Sequence, residues 1–221
     1  MLNKNDFVEL DFTGRIKDNG IFDTSIKENA REAGLDEKKC RPLKICIGQK
    51  MIVKGFDLAL EGKELNKKYQ IELNPEDAFG KRESNLVKTV PVKLFIEKGV
   101  MPRAGMLYSF DSILAKIISV SGGRVMVDFN NPLAGRNIIY EFIIKRKIDD
   151  LKEKISITAE FILRIENQKI ELQDKKATLI FEKKIPEEFF NILKKKVKEL
   201  LDVDISFKIE EKKEEEKKKE D

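Results

Sequence analysis

The amino-acid sequence predicts an α+β protein in which a β-rich domain carries a small inserted β unit and is followed by a second domain of strands and helix. Short runs of alternating apolar and polar residues, separated by glycine- and asparagine-containing turns, fill the first part of the chain. The segment 86–129 has strand-like runs and glycine turns of its own, which indicates a separate unit. After residue 150, alternating runs flank a stretch with helical periodicity.

An antiparallel hairpin is predicted at the start of the chain. Residues 6–17 alternate partially, as a strand does, and the Asp-Asn-Gly sequence of residues 18–20 is a strong turn signal before the next strand, which begins at Ile21. The polar residues 26–39 predict a loop or a short helix. The alternation of residues 42–47 then predicts a third strand.

A short helix and two further strands complete the predicted first domain. The run between Gly55 and Gly62 has helical composition and should turn its apolar side toward the sheet. Residues 68–73 predict a strand, and residues 74–80 predict a tight loop that carries an aromatic side chain. Residues 137–147 are apolar on both faces, which predicts a strand at the centre of the sheet.

The C-terminal region is predicted to form a compact α+β domain. Alternating apolar residues predict a strand over 155–165, and further strands are predicted over 177–181 and 203–209. Between them, Pro186 suits the first turn of a helix. The apolar face of that helix is expected to contain Phe189, Leu193, Val197 and Leu200. The domains predicted in this way are 1–85 with 130–149, 86–129, and 150–209, followed by a charged, disordered tail over 210–221.

Composition excludes several kinds of function. The chain has no histidine, which removes Ser/His and Cys/His catalysis and every His-ligated metal site. Its 44 basic and 40 acidic residues are interspersed, so we expect no nucleic-acid partner. No run approaches the ~18 apolar residues of a membrane span, and the first residues lack the apolar core of a signal peptide. We therefore expect a cytoplasmic protein with no membrane association, in which Cys40 and Cys46 are free thiols.

A set of short motifs occurs in an order and spacing that carry a family resemblance. They are Asp11-Phe12-Thr13-Gly14, Ile21-Phe22-Asp23-Thr24-Ser25, Ile47-Gly48, Ile52-Val53-Lys54-Gly55-Phe56, Ala59-Leu60-Glu61-Gly62, Glu76-Asp77-Ala78-Phe79-Gly80 and Tyr140-Glu141-Phe142. On these residues the chain resembles the FKBP-type peptidyl-prolyl cis/trans isomerases. The sequences on either side of the insert are similar to those of the SlyD-like class and its long archaeal form: Asn85-Leu86-Val87 and Leu133-Ala134-Gly135-Arg136-Asn137.

The resemblance implies an antiparallel half-barrel wrapped on one short helix, with a prolyl pocket lined by aromatic side chains. The catalytic residues that it implies are Asp23, Val53, Phe79 and Tyr140, and the substrate-binding residues are Phe12, Phe22, Leu43, Ile52 and Phe56. Val53 is expected to offer its main-chain N–H to the substrate carbonyl. Asp23 is expected to organise hydrogen bonds at the pocket rim or, alternatively, to close a turn through its own side chain. Phe56 is expected to form the pocket floor or, alternatively, an ordinary core contact.

The nature of the reaction and two departures from the family pattern shape the expected chemistry. Rotation about a peptide bond faces a barrier of roughly 18 to 20 kcal/mol because resonance must be broken. An apolar pocket that disfavours the dipolar planar form lowers this barrier without an acid, a base or a nucleophile, so no cofactor and no metal are expected. Phe79 stands where many members have a tyrosine hydroxyl, and Leu43 stands where many have an aromatic wall.

The insert is expected to hold client proteins. Its ends, near Leu86 and Phe129, should lie close together because the segments on either side belong to one half-barrel. It contains the candidate chaperone residues Met101, Met106, Leu107, Tyr108 and Phe110. Methionine with aromatic side chains suits promiscuous apolar binding, although the same residues could instead form the insert's own core.

A prolyl isomerase with holdase activity is thus the leading hypothesis from the sequence. The alternative is a chaperone without enzymatic activity, whose isomerase pocket is vestigial. The expected partners are unfolded or nascent polypeptides that contain proline. A homodimer through the C-terminal domain is a further expectation.

Overall fold

The computed structural model describes residues 1–17, 19–111, 113–166, 169–182 and 184–210. Within these residues the strands are β1 (Phe7–Ile16), β2 (Ile21–Thr24), β3 (Leu43–Cys46), β4 (Lys68–Leu73), β5 (Val87–Pro91), β6 (Leu107–Phe110), β7 (Ile113–Ser121), β8 (Arg124–Asp128), β9 (Ile138–Lys147), β10 (Lys169–Gln173), β11 (Lys176–Phe181) and β12 (Asp204–Ile209). The helices are α1 (Lys27–Glu32), α2 (Lys54–Ala59), α3 (Lys93–Ile96), α4 (Leu151–Leu163) and α5 (Glu187–Leu201). Apart from Glu210, the predicted tail lies outside the described residues, and so does Asp18 of the predicted turn.

The first sheet wraps around α2. Its strands follow the order β2-β1-β9-β4, and β3 pairs with the part of β1 that β2 leaves uncovered. All of these pairs are antiparallel. Phe56 of α2 is only 1% exposed against this sheet, and Leu60, directly after the helix, is fully buried. This is the α+β half-barrel that the resemblance implies. β9 is its central strand, as predicted, although one face of β9 is half-buried rather than buried.

Residues 87–128 form a separate antiparallel sheet in the order β5-β8-β7-β6. Its inner face is covered by α3 through Phe95, which is 1% exposed and packs with Ile117 and Val127. The two ends of this insert meet as expected, since the Phe129 N–H donates to the Leu86 carbonyl at 3.0 Å. The helix α3 was not predicted, because a single helical turn leaves no periodic signal in a sequence.

The C-terminal sheet has the order β10-β11-β12, with β10–β11 antiparallel and β11–β12 parallel. The helices α4 and α5 pack together on it and bury a second core, which includes Ile155, Leu179, Leu193 and Ile205. The α+β character of this region agrees with the fold class predicted from the sequence. Strand β10 was not predicted.

The predicted strand over 155–165 is wrong, because residues 151–163 form helix α4. Ile155 and Ala159 of this helix face the C-terminal core, whereas Ile157 packs against Phe7 and Ile148 beside the first sheet. Residues two apart lie on nearly opposite sides of a helix. A helix that is buried on both sides therefore produces an alternating apolar pattern, which imitates a strand.

The ends of both long helices correct the sequence interpretation further. The Asp150 carboxylate accepts the Glu153 N–H at 2.7 Å, which is an N-cap that begins α4. In α5, Leu193 and Val197 are buried as predicted, but Phe189 is 49% exposed and Phe190 is buried in its place. The inner face of α5 therefore begins one residue later than predicted.

The two cysteines are free, as predicted. Cys46 is completely buried in β3, and burial raises the pKa of its thiol to about 12. Among the helices of the described ranges, none combines the length and apolar character needed to cross a membrane.

Candidate active site

A cluster of aromatic rings fills the concave side of the first sheet. It joins Phe12 of β1, Phe22 of β2, Phe56 of α2, Phe79 in the loop after β4, and Tyr140 of β9. Phe56 stacks on Tyr140 with ring centroids 4.4 Å apart, and Phe12 lies 6.2 Å from Tyr140. Phe22 meets Tyr140 edge-on at 5.9 Å and Phe79 at 5.7 Å. The structure therefore brings together the five rings that the resemblance assigned to one pocket.

Burial divides this cluster into a floor and a rim. Phe56, Tyr140 and Phe12 are at most 9% exposed, whereas Phe22 and Phe79 are half-buried. The cluster therefore presents a continuous apolar surface that runs from the buried floor to the half-buried rim. Phe56 is a core contact, and it stacks on Tyr140; its role as the floor of a substrate pocket stays a prediction.

Two glycines permit this close packing. A Cβ at Gly14 would lie 2.6 Å from the Phe22 ring and 3.0 Å from the Tyr140 ring. A Cβ at Gly55, at the start of α2, would lie 2.6 Å from the side chain of Leu73 and 3.0 Å from the main-chain oxygen of Asp77. Any larger residue would displace β2 or α2 and therefore the rings that they carry.

Leu43, Ile52 and Val53 are half-buried and pack against the same core. Val53 precedes α2 as its N-cap residue, and its carbonyl accepts the N–H groups of Phe56 and Asp57, both at 3.0 Å. The Val53 N–H itself donates to no acceptor within the residues that the structure describes. It is therefore available as a donor to a carbonyl group bound beside the aromatic cluster.

The loop before Val53 is held by a carboxylate that the sequence interpretation did not single out. Asp57 is 4% exposed and accepts the Gly48 N–H at 2.8 Å and the Lys50 N–H at 2.9 Å. These two bonds fix the turn that leads into Ile52 and Val53. In the sequence, Asp57 is recognisable only as an acidic residue in the first turn of a helix. That position indicates a favourable interaction with the helix dipole and does not reveal the two hydrogen bonds to the loop.

Asp23 lies at the rim, close to Tyr140. Although Asp23 reaches solvent, the protein around its carboxyl group excludes enough water to raise its pKa, and a contact with the Thr24 N–H partly offsets this. Burial raises the pKa of the Tyr140 hydroxyl, and the negative charge of Asp23 raises it further. Within the described ranges Asp23 forms no salt bridge. The turn after β2 is closed instead by the Thr24 hydroxyl, which accepts the Ile26 N–H at 3.1 Å.

The candidate chaperone residues of the insert divide into two groups. Met106, Tyr108 and Phe110 pack against the insert's own core, with the rings of Tyr108 and Phe110 4.8 Å apart. These three residues therefore belong to the insert's own core, which is the alternative that the sequence left open. Met101 and Leu107 are 73% and 54% exposed.

The insert sheet has an apolar outer face, on the side away from α3. Its apolar residues are Leu107, Leu114, Ile118 and Met126, all of which are at least 36% exposed. The exposed Lys116 lies among them, opposite Leu107. The sequence interpretation did not separate Ile118 and Met126 from the core residues beside them, because apolar residues occupy both faces of β7 and β8. Only the pairing register distinguishes the two faces.

A groove of about 800 Å³ runs between this outer face and the loop 130–136 of the first domain. We call it the flap groove. Arg82 bridges it by a 2.6 Å ion pair with Asp128. At its far side the Gly135 N–H donates to the carbonyl of Gly80, the residue after Phe79, at 2.8 Å. One wall of the groove is therefore hydrogen-bonded to the residue that follows the rim ring Phe79.

No group of three or more metal-ligating side chains converges in the part of the chain that the structure describes. The arrangement of the site is thus an apolar floor, one free main-chain donor and one rim carboxylate.

Comparison with known proteins gives matches over the first two thirds of the chain. A family model described as FKBP-type peptidyl-prolyl cis-trans isomerase matches residues 1–96, and one described as FKBP26, IF domain, matches residues 88–133. The short-type peptidyl-prolyl cis-trans isomerase of Methanocaldococcus jannaschii is 32% identical over 147 residues, which covers 66% of this chain and 92% of that protein. The FKBP-type peptidyl-prolyl cis-trans isomerase SlyD of Helicobacter pylori is 31% identical over 132 residues, which covers 58% of this chain and 71% of that protein.

Proposed function

The chain belongs to the family of FKBP-type peptidyl-prolyl cis-trans isomerases, and we propose that its substrates are unfolded or partly folded proteins, held by the insert while the aromatic pocket isomerises their X-Pro bonds. Peptidyl-prolyl isomerisation is the activity of this family. The observation that carries the proposal on clients is the apolar outer face of the insert, which lines the flap groove. Gly135 of the same groove is hydrogen-bonded to Gly80, the residue after Phe79.

The pocket chemistry follows from the residues that line it. Phe56, Tyr140 and Phe12 form a floor that disfavours the charge-separated planar amide relative to its twisted transition state. The Val53 N–H holds the substrate carbonyl, because it has no competing partner in the described chain. Asp23 shapes the electrostatic environment at the rim beside Tyr140. None of these groups transfers a proton or forms a covalent bond.

The outer face explains how the insert would hold a client. On most protein surfaces, exposed apolar residues are scattered singly, whereas a contiguous apolar patch marks an interaction site. Leu107, Leu114 and Ile118 line the flap groove directly, so a segment bound there lies next to the loop that contacts Gly80. Its neighbouring prolines then sample the pocket at a raised effective concentration.

Two matched substitutions test this proposal. Leu114 is 51% exposed on the outer face, and Leu94 is 50% exposed on α3, which covers the opposite face. Suppression of aggregation of a chemically unfolded client should weaken about tenfold in Leu114→Glu, as expected for a loss of about 1.4 kcal/mol, and remain unchanged in Leu94→Glu. Turnover of a tetrapeptide should be equal in both variants and the unmodified chain. Equal aggregation suppression in the two variants would contradict the proposal, and wild-type suppression without peptide turnover would favour a chaperone with a vestigial pocket.

A homodimer through the C-terminal domain in the cytoplasm completes the proposal. Phe189 and Ile192 of α5 are 49% and 54% exposed and lie three positions apart, which places them on one face of the helix. Sedimentation equilibrium should show a dimer for the full chain and a monomer for Phe189→Glu. A monomeric unmodified chain would contradict this part.

A further inference from the structure

A second groove shares three residues with the proposed prolyl pocket and contains no residue of the insert. It has a volume of about 540 Å³, within the ~300 to 1,000 Å³ range of ligand-binding clefts. Three of the proposed pocket residues, Phe12, Asp23 and Leu43, lie on its inner side. Its opposite wall belongs to helix α4, which contributes Ser156, Ile157 and Glu160. The C-terminal domain thus reaches the edge of the catalytic site.

The α4 wall is fastened to the first domain on two sides of the groove. Arg41 donates to Glu160 at 2.8 Å at one end. At the other end Glu153 pairs with Lys44 at 2.8 Å and with Arg146 at 2.7 Å. Beneath them Ile157 is 6% exposed and packs against the buried Phe7 cluster. Ion pairs and an apolar contact therefore hold α4 against the first domain beside this groove.

The lining of the groove suits an extended polypeptide better than a charged small molecule. Of its three basic groups, Arg41 and Lys44 are already paired with carboxylates of α4, and only Lys39 has no ion pair with a described residue. The lining also carries the carboxylates Glu9, Asp23, Glu153 and Glu160, so it offers no concentrated positive charge to an anion. Leu43 and Phe12 supply apolar surface on one side. On the other side, the Ser156 hydroxyl forms no hydrogen bond with any described residue, and it can donate to or accept from a peptide main chain.

We propose that helix α4 forms a subsite for the substrate residues that flank the X-Pro bond, between Ser156 on one wall and Leu43 on the other. This inference rests on the assignment of the aromatic cluster as the prolyl pocket. The occupant is the substrate polypeptide itself, because the groove is continuous with the pocket through Phe12 and Asp23. The C-terminal domain is in this way part of peptide recognition, and longer peptides are better substrates than tetrapeptides.

Substitution of Ser156 with tryptophan tests the subsite in the full chain. Ser156 is half-buried and faces the groove, so an indole there fills the space that a peptide would occupy. Asn191 on α5 is exposed and lines neither groove, so Asn191→Trp is a matched control for adding the same side chain to the same domain. The substrates are a blocked tetrapeptide with a central X-Pro bond and a twelve-residue peptide with the same centre. Turnover is read from exchange in nuclear magnetic resonance spectra, and the ¹⁵N spectrum of the protein reports where each peptide binds.

In the unmodified chain, kcat/KM for the long peptide should exceed that for the tetrapeptide about tenfold, which corresponds to about 1.4 kcal/mol. The Ser156→Trp variant should lose this advantage and keep tetrapeptide turnover within twofold, whereas Asn191→Trp should behave as the unmodified chain. The long peptide alone should shift the amide signals of Ser156 and Ile157. Equal kcat/KM for both peptides, or an equal loss on both in Ser156→Trp, would overturn the subsite. Absence of tetrapeptide turnover in the unmodified chain would instead reject the pocket, and the amide shifts would still decide whether α4 binds peptide.

Discussion

Excision of the insert should separate turnover of peptides from action on proteins. Lys88 lies opposite Val127 in the β5–β8 ladder, and the Leu86 carbonyl already accepts the Phe129 N–H, so an Asn-Gly turn can replace residues 89–126. Shortening a loop of about 40 residues to two lowers the free-energy cost of closing the loop by about 2.5 kcal/mol. Each halving of the loop length contributes about 0.6 kcal/mol. This gain favours the excised form, and the core of the first sheet contains no residue of the excised segment, so the remaining protein should fold.

The size of the two effects follows from what each substrate can reach. A tetrapeptide contacts only the pocket, whose rings all lie outside the insert, so its turnover should change by less than about threefold. A client protein that is held by the outer face gains an effective concentration worth 10² or more in affinity. Proline-limited refolding of such a client should therefore slow roughly 100-fold in kcat/KM, a factor taken from the same tethering effect.

The assay compares the full chain and the excised variant on one tetrapeptide and on one protein whose refolding is limited by prolyl isomerisation. Circular dichroism and thermal unfolding confirm that the variant is folded. Equal losses on the peptide and the protein, in a folded variant, would refute the division of labour between pocket and insert. An unchanged rate of protein refolding would show that the outer face does not hold clients.

Three further outcomes test the geometry of the site and its support. Tyr140→Phe should change the free energy of unfolding by less than about 1 kcal/mol, because the Tyr140 hydroxyl has no hydrogen-bond partner among the described residues. A larger loss of stability, measured by urea unfolding, would mean that this hydroxyl is structurally required. Gly55→Ala should destabilise the protein by about 1 to 3 kcal/mol and reduce peptide turnover, because the alanine Cβ would lie 2.6 Å from the Leu73 side chain. An unchanged melting temperature in thermal unfolding would contradict this contact. Pairing with Arg146 holds the pKa of Glu153 at about 2, below its ordinary 4.5, so Glu153→Gln should cost about 1 kcal/mol at pH 7. Because the folded-state pKa is lowered, that difference should be present above pH 4.5 and vanish as the pH falls toward 2, and a difference that persists at pH 2 would point to packing instead.

Strands with one buried face were predictable from the sequence. β4 has the predicted bounds 68–73, and β9 was assigned to the centre of its sheet because apolar residues occupy both of its faces. In both strands the sequence indicated the correct element, although one face of β9 is less buried than its apolar residues suggested. The pocket rings were found through motif order rather than through any pattern of burial, because Phe22 and Tyr140 are distant in sequence and meet only in the folded sheet.

Two of the failures share a cause, which is an element with apolar residues on both sides. α4 lies between two domains, so Ile155 and Ile157 are both buried although they point in nearly opposite directions, and the sequence then resembles a strand. In the insert, β7 carries apolar residues on both faces, and only the structure shows that Ile117 is core and Ile118 is outer face. Sequence patterns record that a residue is apolar, not which partner covers it.

The position of α4 also affects how the C-terminal domain should be studied. A chain that ends at residue 149 would expose Ile148, Phe7 and Cys46, which are buried against Ile157 in the full chain. Truncation would therefore remove a stabilising helix together with the domain. Point substitutions in the full chain, such as Ser156→Trp, avoid this loss.

The central claim is that X-Pro bonds are isomerised beside the aromatic cluster with the Val53 N–H as the substrate's hydrogen-bond donor. Proline at position 53 would remove only that donor and its side chain, because the φ of −59° at Val53 already suits proline and its N–H has no partner in the described chain. Val53→Ala keeps the donor and serves as the control. Exchange spectroscopy on a tetrapeptide should show strong acceleration by the unmodified chain, a small change in Val53→Ala, and a loss of about 100-fold in folded Val53→Pro. Exchange at the uncatalysed rate with the unmodified chain, or full activity in Val53→Pro, would contradict the account.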